Sequence, residues 1–436
     1  MKKQIALTIL ALCFAGAGFA QEIPDQLRQQ PLKCGGVFFV YDYEHPAAIT
    51  PAPDGYKPFY ISHFARHGAR YCDGEYKLLR NCLSKAARQD LLTEEGKAFH
   101  QRFGSFLKKA ELRRGNLTGV GKAQHRAIAA HLKERFPEVF EGPTHVEAFS
   151  TESPRVIMSM WSCLNSLTAL DEDLDLDASA SAAHAEWLQP NLPSSPYYNA
   201  ALFRGTPEME QAAAEYFRKT APCEQIAGRF FTDVDAADRI IPLQEFANAL
   251  LSVITDTYCL DTDRGYFDGL LSPEESYLVW KGAAAPFALH LGRVAGSGCL
   301  IADYAGFTLG EMIEGARKDI EDGKTQLRLR FGHDGGLAPL LAFMDIDGCG
   351  RPITDFGEAG AVFPSYNIPM GCSLQLVFFR NAAGDILVKP LLNEAEATLP
   401  FPAVTESYYS WEAFKAYYLP RIEEAKEKIK RAIDTE

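Results

Sequence analysis

The chain reads as an α/β protein: a three-layer sandwich around a mostly parallel sheet, with an inserted, mainly helical cap lobe. Three observations predict this. Short β-rich runs alternate with helical stretches after residue 30. Three of those runs end in a polar turn that opens a helix. Between about Leu167 and Asp322 the sequence becomes Ala-rich and helical in pattern, with polar and proline-containing breaks such as Pro190 to Pro196. The organisation that follows is a signal peptide at 1–20, a first core part at 21–166, a cap insertion at 167–322 and a second core part at 323–436. That last part carries a C-terminal hairpin and helix. A chain of 436 residues is long enough to bury a large core of this kind.

The elements justify the reading in order. Lys2 and Lys3 precede an apolar run from Ile5 to Phe14, and small residues end at Gly18-Phe19-Ala20. This is the pattern of a cleaved export signal, too short for a membrane span. It places the mature protein in the periplasm or outside the cell, with no stable membrane span after processing. Loss of the two lysines takes the net charge from −13 to −15. Pro58 to Ala65 is β-rich and begins at a proline, as a strand boundary does. A helical stretch is expected from about Arg88 to Arg113, and a second helix to about Arg135, capped by Thr118. His145 to Phe149 reads as a strand; Ser153 then caps a helix with Pro154 at its first position. Asp171 to Asp177 reads as a solvated acidic loop, since it lacks the glycine and terminal glutamate of a calcium loop. Gln326 to Phe331 forms a third strand, leading through Gly332-His333-Asp334-Gly335-Gly336 into the apolar helix Leu337 to Met344. Ser373 to Phe379 and Ile386 to Pro390 flank a turn and read as a hairpin.

Charge and cysteines narrow the partners. A strongly acidic surface without a basic run repels nucleic acid, so none is expected as a partner. Ten cysteines, nine once Cys13 leaves with the signal, leave at least one unpaired within the chain. Cys72 with Cys82, and Cys259 with Cys299, are candidate bridges; connectivity is not readable from sequence. No Cys/His spacing fits a structural zinc site, and a bridged protein in an oxidising compartment is expected rather than a metal protein. Asn116-Leu117-Thr118 is a formal glycosylation sequon.

The three strand–turn–helix units place polar residues where ligands bind in an open α/β sheet, at the carboxyl ends of the strands. The first turn offers Arg66, His67 and Arg70, the second Arg155, the third His333 and Asp334. Three guanidiniums converging on one point fit an anion, and their planar forks match phosphate oxygens. Phosphoryl transfer further needs a nucleophile, charge stabilisation on the phosphate oxygens and a proton for the leaving group. A neutral imidazole at His67 supplies the first, since neighbouring arginines disfavour its protonation. Arg66, Arg70, Arg155 and His333 supply the second, and Asp334 the third. No cofactor or metal is expected, because the arginines carry the positive charge.

Arg66-His67-Gly68-Ala69-Arg70 resembles the RHGxR signature of the histidine phosphatase superfamily, and His333-Asp334 resembles the HD pair of its acid-phosphatase and phytase branch. Arg155 matches the position of a third phosphate-binding arginine. The wider similarity is to bacterial relatives of multiple inositol polyphosphate phosphatase. It runs through Gly55 to His63, Gln124-His125-Arg126, Arg135 to Phe140, and the hairpin segments Leu374 to Phe379 and Leu387 to Asn393. The resemblance implies a covalent phosphohistidine at His67, proton donation by Asp334, and inositol polyphosphates such as phytate as the small-molecule substrate. Two positions depart from the pattern. Tyr71-Cys72 stands where acid phosphatases carry a proline, and His333-Asp334-Gly335 stands where the inositol phosphatases often carry His-Ala-Glu.

Other readings stay open on sequence alone. A broad-specificity phosphatase of sugar or other monophosphates shares the same nest, as would a non-catalytic phosphate-ester binding protein or, more distantly, a mutase. Lys77 and Arg80, just beyond the signature, are candidates for distal phosphate contacts. His63 alternates onto the same face as His67 and is expected in core or in support of the site; His125 and His131 are expected to be structural.

Overall fold

The computed structural model describes residues 23–190, 192–195 and 198–435; the expected signal peptide lies outside them. Its centre is an eight-stranded sheet: β1 (Lys57–Arg66), β2 (His145–Ser150), β3 (Asp175–Ala180), β4 (Leu327–Gly332), β5 (Ser373–Arg380), β6 (Ile386–Leu392), β7 (Ala395–Glu396) and β8 (Tyr409–Ser410). The order is β3-β2-β4-β1-β5-β6-β7, with β8 also on β6. β3, β2, β4 and β1 run parallel; the C-terminal hairpin β5–β6 extends the sheet antiparallel from β1. The helices that position the site are α1 (Gly74–Arg88), α2 (Glu94–Ala110), α3 (Gly119–Arg135), α4 (Pro154–Leu170), α5 (Pro207–Thr220), α6 (Leu243–Asp256), α7 (Pro273–Leu291), α8 (Ile301–Asp322), α9 (Asp334–Met344) and α10 (Trp411–Asp434).

Strand alternation sends one set of side chains to each face of the sheet. Ile61 and Ala65 of β1, with Leu327, Leu329 and Phe331 of β4, pack against Ile128 and Leu132 of α3 and Val156, Met160 and Leu164 of α4. Tyr60 and Phe64 of β1, with Leu374 and Leu376 of β5, pack against α8, α9 and α10. That is the three-layer sandwich the sequence predicts.

The helical lobe differs from the expectation in its limits. β3 lies inside the stretch read as cap, yet pairs along its whole length with β2. The acidic run is therefore a loop that becomes an edge strand, where outward aspartates also discourage further pairing. α8 closes the same stretch and packs chiefly with β1, β5, α9 and α10 of the core, touching the lobe only through Ala284 and Ala288 of α7 in this cluster. Conversely, α1 and α2 join the lobe: Tyr76, Leu83, Phe99 and Phe103 share one apolar cluster with Phe217, Phe230, Phe246 and Trp280. Two insertions, after β1 and after β3, thus meet over one core. The helix expected from about Arg88 starts instead at Glu94, where Thr93 caps α2 by accepting from the Gly96 N–H, and α1, which ends at Arg88, precedes it unpredicted.

The described cysteines are all free thiols. Neither expected bridge is present: the Cys259 thiol donates to the Phe38 carbonyl at 3.3 Å, and Cys82 is buried in the apolar lobe core while Cys72 sits in the turn before α1. No helix among the described residues is long and apolar enough to cross a membrane.

Candidate active site

The carboxyl ends of β1, β4 and β2 lie side by side, with Arg66 opposite Gly332 and Ser150 opposite Phe331. The turn after β1 is held by its backbone. The His67 N–H donates to Gly332 O and its carbonyl accepts from Gly371, both at 2.9 Å. The Gly68 N–H donates to Ser159 Oγ at 3.0 Å, and the Ala69 N–H to Gln124 Oε1 at 2.8 Å. Gln124 Nε2 in turn donates to Met370 O at 2.7 Å. Thr118 caps α3 and also donates its hydroxyl to Ala69 O at 3.0 Å. This close approach needs glycine on both sides. A Cβ on Gly68 would lie 2.3 Å from Gly121 O, and one on Gly121 would lie 2.2 Å from Ala69 O.

The turn fixes the imidazole. His67 Nδ1 lies 2.9 Å from Gly68 O. A carbonyl only accepts, so the proton is on Nδ1 and Nε2 carries a bare lone pair. The ring is 2% exposed. Burial pushes its pKa well below the usual histidine value, and Arg66, His333, Arg155 and Arg70 push it further. The ring is neutral across ordinary pH.

All six expected residues gather here. Arg66 is buried; its Nη1 donates to Val37 O and Ile368 O at 2.6 and 2.9 Å, and its Nη2 meets Asp334 Oδ2 at 2.9 Å. Arg70 lies 5.6 Å over the Phe38 ring and donates to Tyr71 O. Arg155, in the first turn of α4, donates from Nη2 to His333 Nδ1 at 3.3 Å; burial, then Arg70, lowers its pKa to about 10. His333 packs edge-on to His67, ring centroids 5.5 Å apart. Because its Nδ1 accepts, its hydrogen is on Nε2, directed at Thr151 Oγ1 at 3.2 Å; the donor expected to face the ligand is engaged by Thr151. Burial, then Arg155, lowers the His333 pKa to about 3.

Asp334 is one-third exposed and starts α9, its Oδ1 accepting from the Gly335 N–H. Burial raises its pKa, but Arg66, with His333 and Arg70, outweighs that and holds the carboxyl below the usual aspartate value. Ser153 precedes α4 with Pro154 at its first position, but its side chain makes no cap bond.

Other candidates lie apart. Lys77 is exposed, and Arg80 is held by Glu111 at 2.7 Å. His63 and His125 are fully buried, each packed against the Phe331 ring at 5.7 and 5.6 Å. His131 pairs with Glu394 at 2.9 Å. Ser159, Gln124 and Gly371 were missed by residue-type reasoning. The available signal was spacing: Ser159 lies one helical turn after Arg155, and its hydroxyl donates back to Arg155 O at 2.8 Å.

No family model matches the chain, and comparison with curated proteins gives no match. Solved structures do match. The Bifidobacterium longum multiple inositol polyphosphate phosphatase, in complex with inositol hexasulfate, superimposes with a TM-score of 0.72 at 16% identity, over 88% of this chain and 97% of that one. The phytase from D. castellii gives 0.68 at 14%, over 90% and 85%. The Hafnia alvei phytase in complex with tartrate gives 0.55 at 12%, over 86% and 99%. With the sheet order and turns described above, this likeness establishes that the chain has the fold of the inositol polyphosphate phosphatase and phytase structures.

Proposed function

We propose that this protein is an exported phosphomonoesterase of the histidine phosphatase superfamily, acting through a covalent phosphohistidine on inositol polyphosphates or related phosphate esters. One observation carries the reading: a neutral imidazole, its proton pinned to Gly68 O, presents a free Nε2 within a nest of three arginines, with Asp334 on Arg66. The shared fold and the motif at residues 66–70 support the family; the apolar N-terminus with its two lysines supports export.

In the reaction, His67 Nε2 attacks phosphorus while the bond to the ester oxygen breaks. The three guanidiniums balance charge on the remaining phosphate oxygens. The ester oxygen takes the proton of Asp334 and leaves as an alcohol. Ionised Asp334 then takes a proton from water as its oxygen attacks phosphorus, the P–Nε2 bond breaks, and the ring regains its lone pair. Inorganic phosphate leaves, and His67 and Asp334 are back in their starting states, the ring bare at Nε2 and the carboxyl group protonated.

Trapping tests this. Turnover of labelled phosphate ester, quenched in alkaline detergent where a P–N bond survives, is expected to leave acid-labile label on the wild type and none on His67→Ala; equal label on both overturns the mechanism. A panel of phytate, sugar phosphates and an aryl phosphate tests the substrate class. A preference for monophosphates above about tenfold, or roughly 1.4 kcal/mol, speaks for a broad-specificity phosphatase instead.

A further inference from the structure

A buried carboxyl group in the helical lobe takes no part in the reaction above. Asp256 ends α6 and is fully buried. Its Oδ2 accepts from Tyr76 Oη at 2.5 Å and from the Cys72 backbone N–H at 3.0 Å. Its Oδ1 has no hydrogen-bond partner among the described residues. The Cys72 N–H belongs to the same peptide group as the Tyr71 carbonyl, and that carbonyl accepts from Arg70 Nη1 at 2.9 Å. In a trans peptide the N–H and C=O point in opposite directions. A single peptide therefore stands between Asp256 and Arg70, one end on the carboxyl group and the other on the guanidinium.

We propose that Asp256 is a positioning residue for Arg70: through the 71–72 peptide it fixes the surface on which the guanidinium rests, and its charge sets how tightly the nest holds an anion. This rests on reading Arg70 as a phosphate ligand. An ionised Asp256 polarises the peptide, strengthens Tyr71 O as an acceptor and offsets part of the Arg70 charge. A neutral Asp256 releases both effects, so the nest binds an anion more tightly.

The surroundings make that charge change accessible. Asp256 faces Tyr76 from α1, Arg70 and Cys72 from the turn after β1, and Cys259 from the turn that follows α6. Burial raises the phenol and both thiols, so of these neighbours Arg70 alone is charged. Burial pushes Asp256 up to about 6, against the pull of Tyr76, Arg70 and the Cys72 N–H. In the free protein His67, His333 and Asp334 of the nest all titrate lower. Glu75 of α1 also lies near Arg70 and Cys72; of the carboxyl groups displaced from their ordinary value here, Asp256 is the one that reaches this range.

Inorganic sulfate is the probe, because it stays a dianion over this range. Calorimetric titration of the wild type is expected to show affinity rising about fivefold from pH 7.5 to 5, with a midpoint near 6. Compared in an Asp334→Asn background, where a bound dianion cannot shift Asp334, Asp256→Asn should bind with the tighter affinity at every pH, without the step. Tyr76→Phe removes a donor to the carboxylate and should move the midpoint upward; it carries the test if Asp256→Asn does not fold. A step that persists in Asp256→Asn in that background, a flat wild-type profile, or an unmoved midpoint in Tyr76→Phe overturns the proposal. Arg70→Ala separates the two readings. If it leaves sulfate affinity unchanged, the phosphate nest itself is misassigned; if it weakens binding while Asp256→Asn behaves as wild type, only the role of Asp256 fails.

Discussion

A histidine that attacks phosphorus must keep its lone pair, and a carboxyl group that protonates an alcohol must keep its proton; the site meets these demands unequally. Burial and three arginines hold His67 neutral. The same arginines act against the donor, because Arg66 stabilises the Asp334 carboxylate. Asp334 is therefore largely ionised at neutral pH in the free protein, and its protonated fraction grows as pH falls. A bound phosphate dianion offsets the Arg66 charge and raises the Asp334 pKa again. The pH–rate profile is thus expected to fall on its alkaline side, at a higher pH for kcat than for kcat/KM; coincident limbs would count against Asp334 as the acid. Substitution gives a second reading. Asp334→Asn should lose roughly 10²–10⁴ in kcat on phytate or a sugar phosphate, but under about tenfold on an aryl phosphate whose leaving group needs no proton. Equal losses on both would remove Asp334 from that role. These two residues were legible in sequence because a nucleophile and an acid must be particular residue types. Ser159 and Gln124 were not, since many side chains can accept a hydrogen bond from a loop N–H.

The elements were legible where their pattern matched their environment. β1, β2 and the hairpin read correctly because their apolar runs ended at proline, glycine or a polar turn. β4 was found, but its alternation of Leu327, Arg328, Leu329 and Arg330 resembles a half-exposed strand, whereas it lies between β1 and β2 and is buried on both faces. The arginines are accommodated by α8. Arg328 holds Asp319 through two bonds of 2.7 and 2.8 Å, with the Tyr60 hydroxyl on the same carboxylate at 2.9 Å; Arg330 holds Glu311. Breaking the pair leaves Arg328 with Glu147 of β2 alone, 2.6 Å away, and leaves the Tyr60 hydroxyl without its acceptor. Asp319→Ala should destabilise the protein by about 1–3 kcal/mol in denaturant unfolding, and Asp319→Leu with Arg328→Met by clearly less than the sum of the single changes. Additive losses would mean that the two side chains do not act as a pair. The lobe was only half legible: amphipathic helices show that they bury a face, but not which layer they bury it against, so α1 and α2 gave no sign of joining α5 to α7.

At the scale of the whole molecule, the chemistry asks for acid while the fold resists it. His63, His125 and His333 have folded pKa values of about 3, 4 and 3, each lowered first by burial. An unfolded chain would protonate them near 6.5, so below that pH it binds protons that the native state refuses. Their contribution is fully present above pH 6.5 and is lost as pH falls towards the folded values; at pH 5 the loss is on the order of 2 kcal/mol for each. Asp256 acts in the opposite sense. Its folded pKa of about 6 lies above that of an unfolded aspartate, so acidification from 6 to 5 returns about 1 kcal/mol. These three histidines, with His67 displaced in the same sense, outweigh one aspartate, and the protein is expected to melt at progressively lower temperature from pH 6.5 to 4.5. The source is separable from catalysis at His63, because neither of its ring nitrogens has a hydrogen-bond partner among the described residues, whereas His125 lies against the Arg66 backbone. Replacing His63 with leucine removes no hydrogen bond and should flatten the fall in Tm over that range by roughly a quarter while changing Tm little at pH 7.5. A slope equal to that of the wild type would assign the acid sensitivity to other groups.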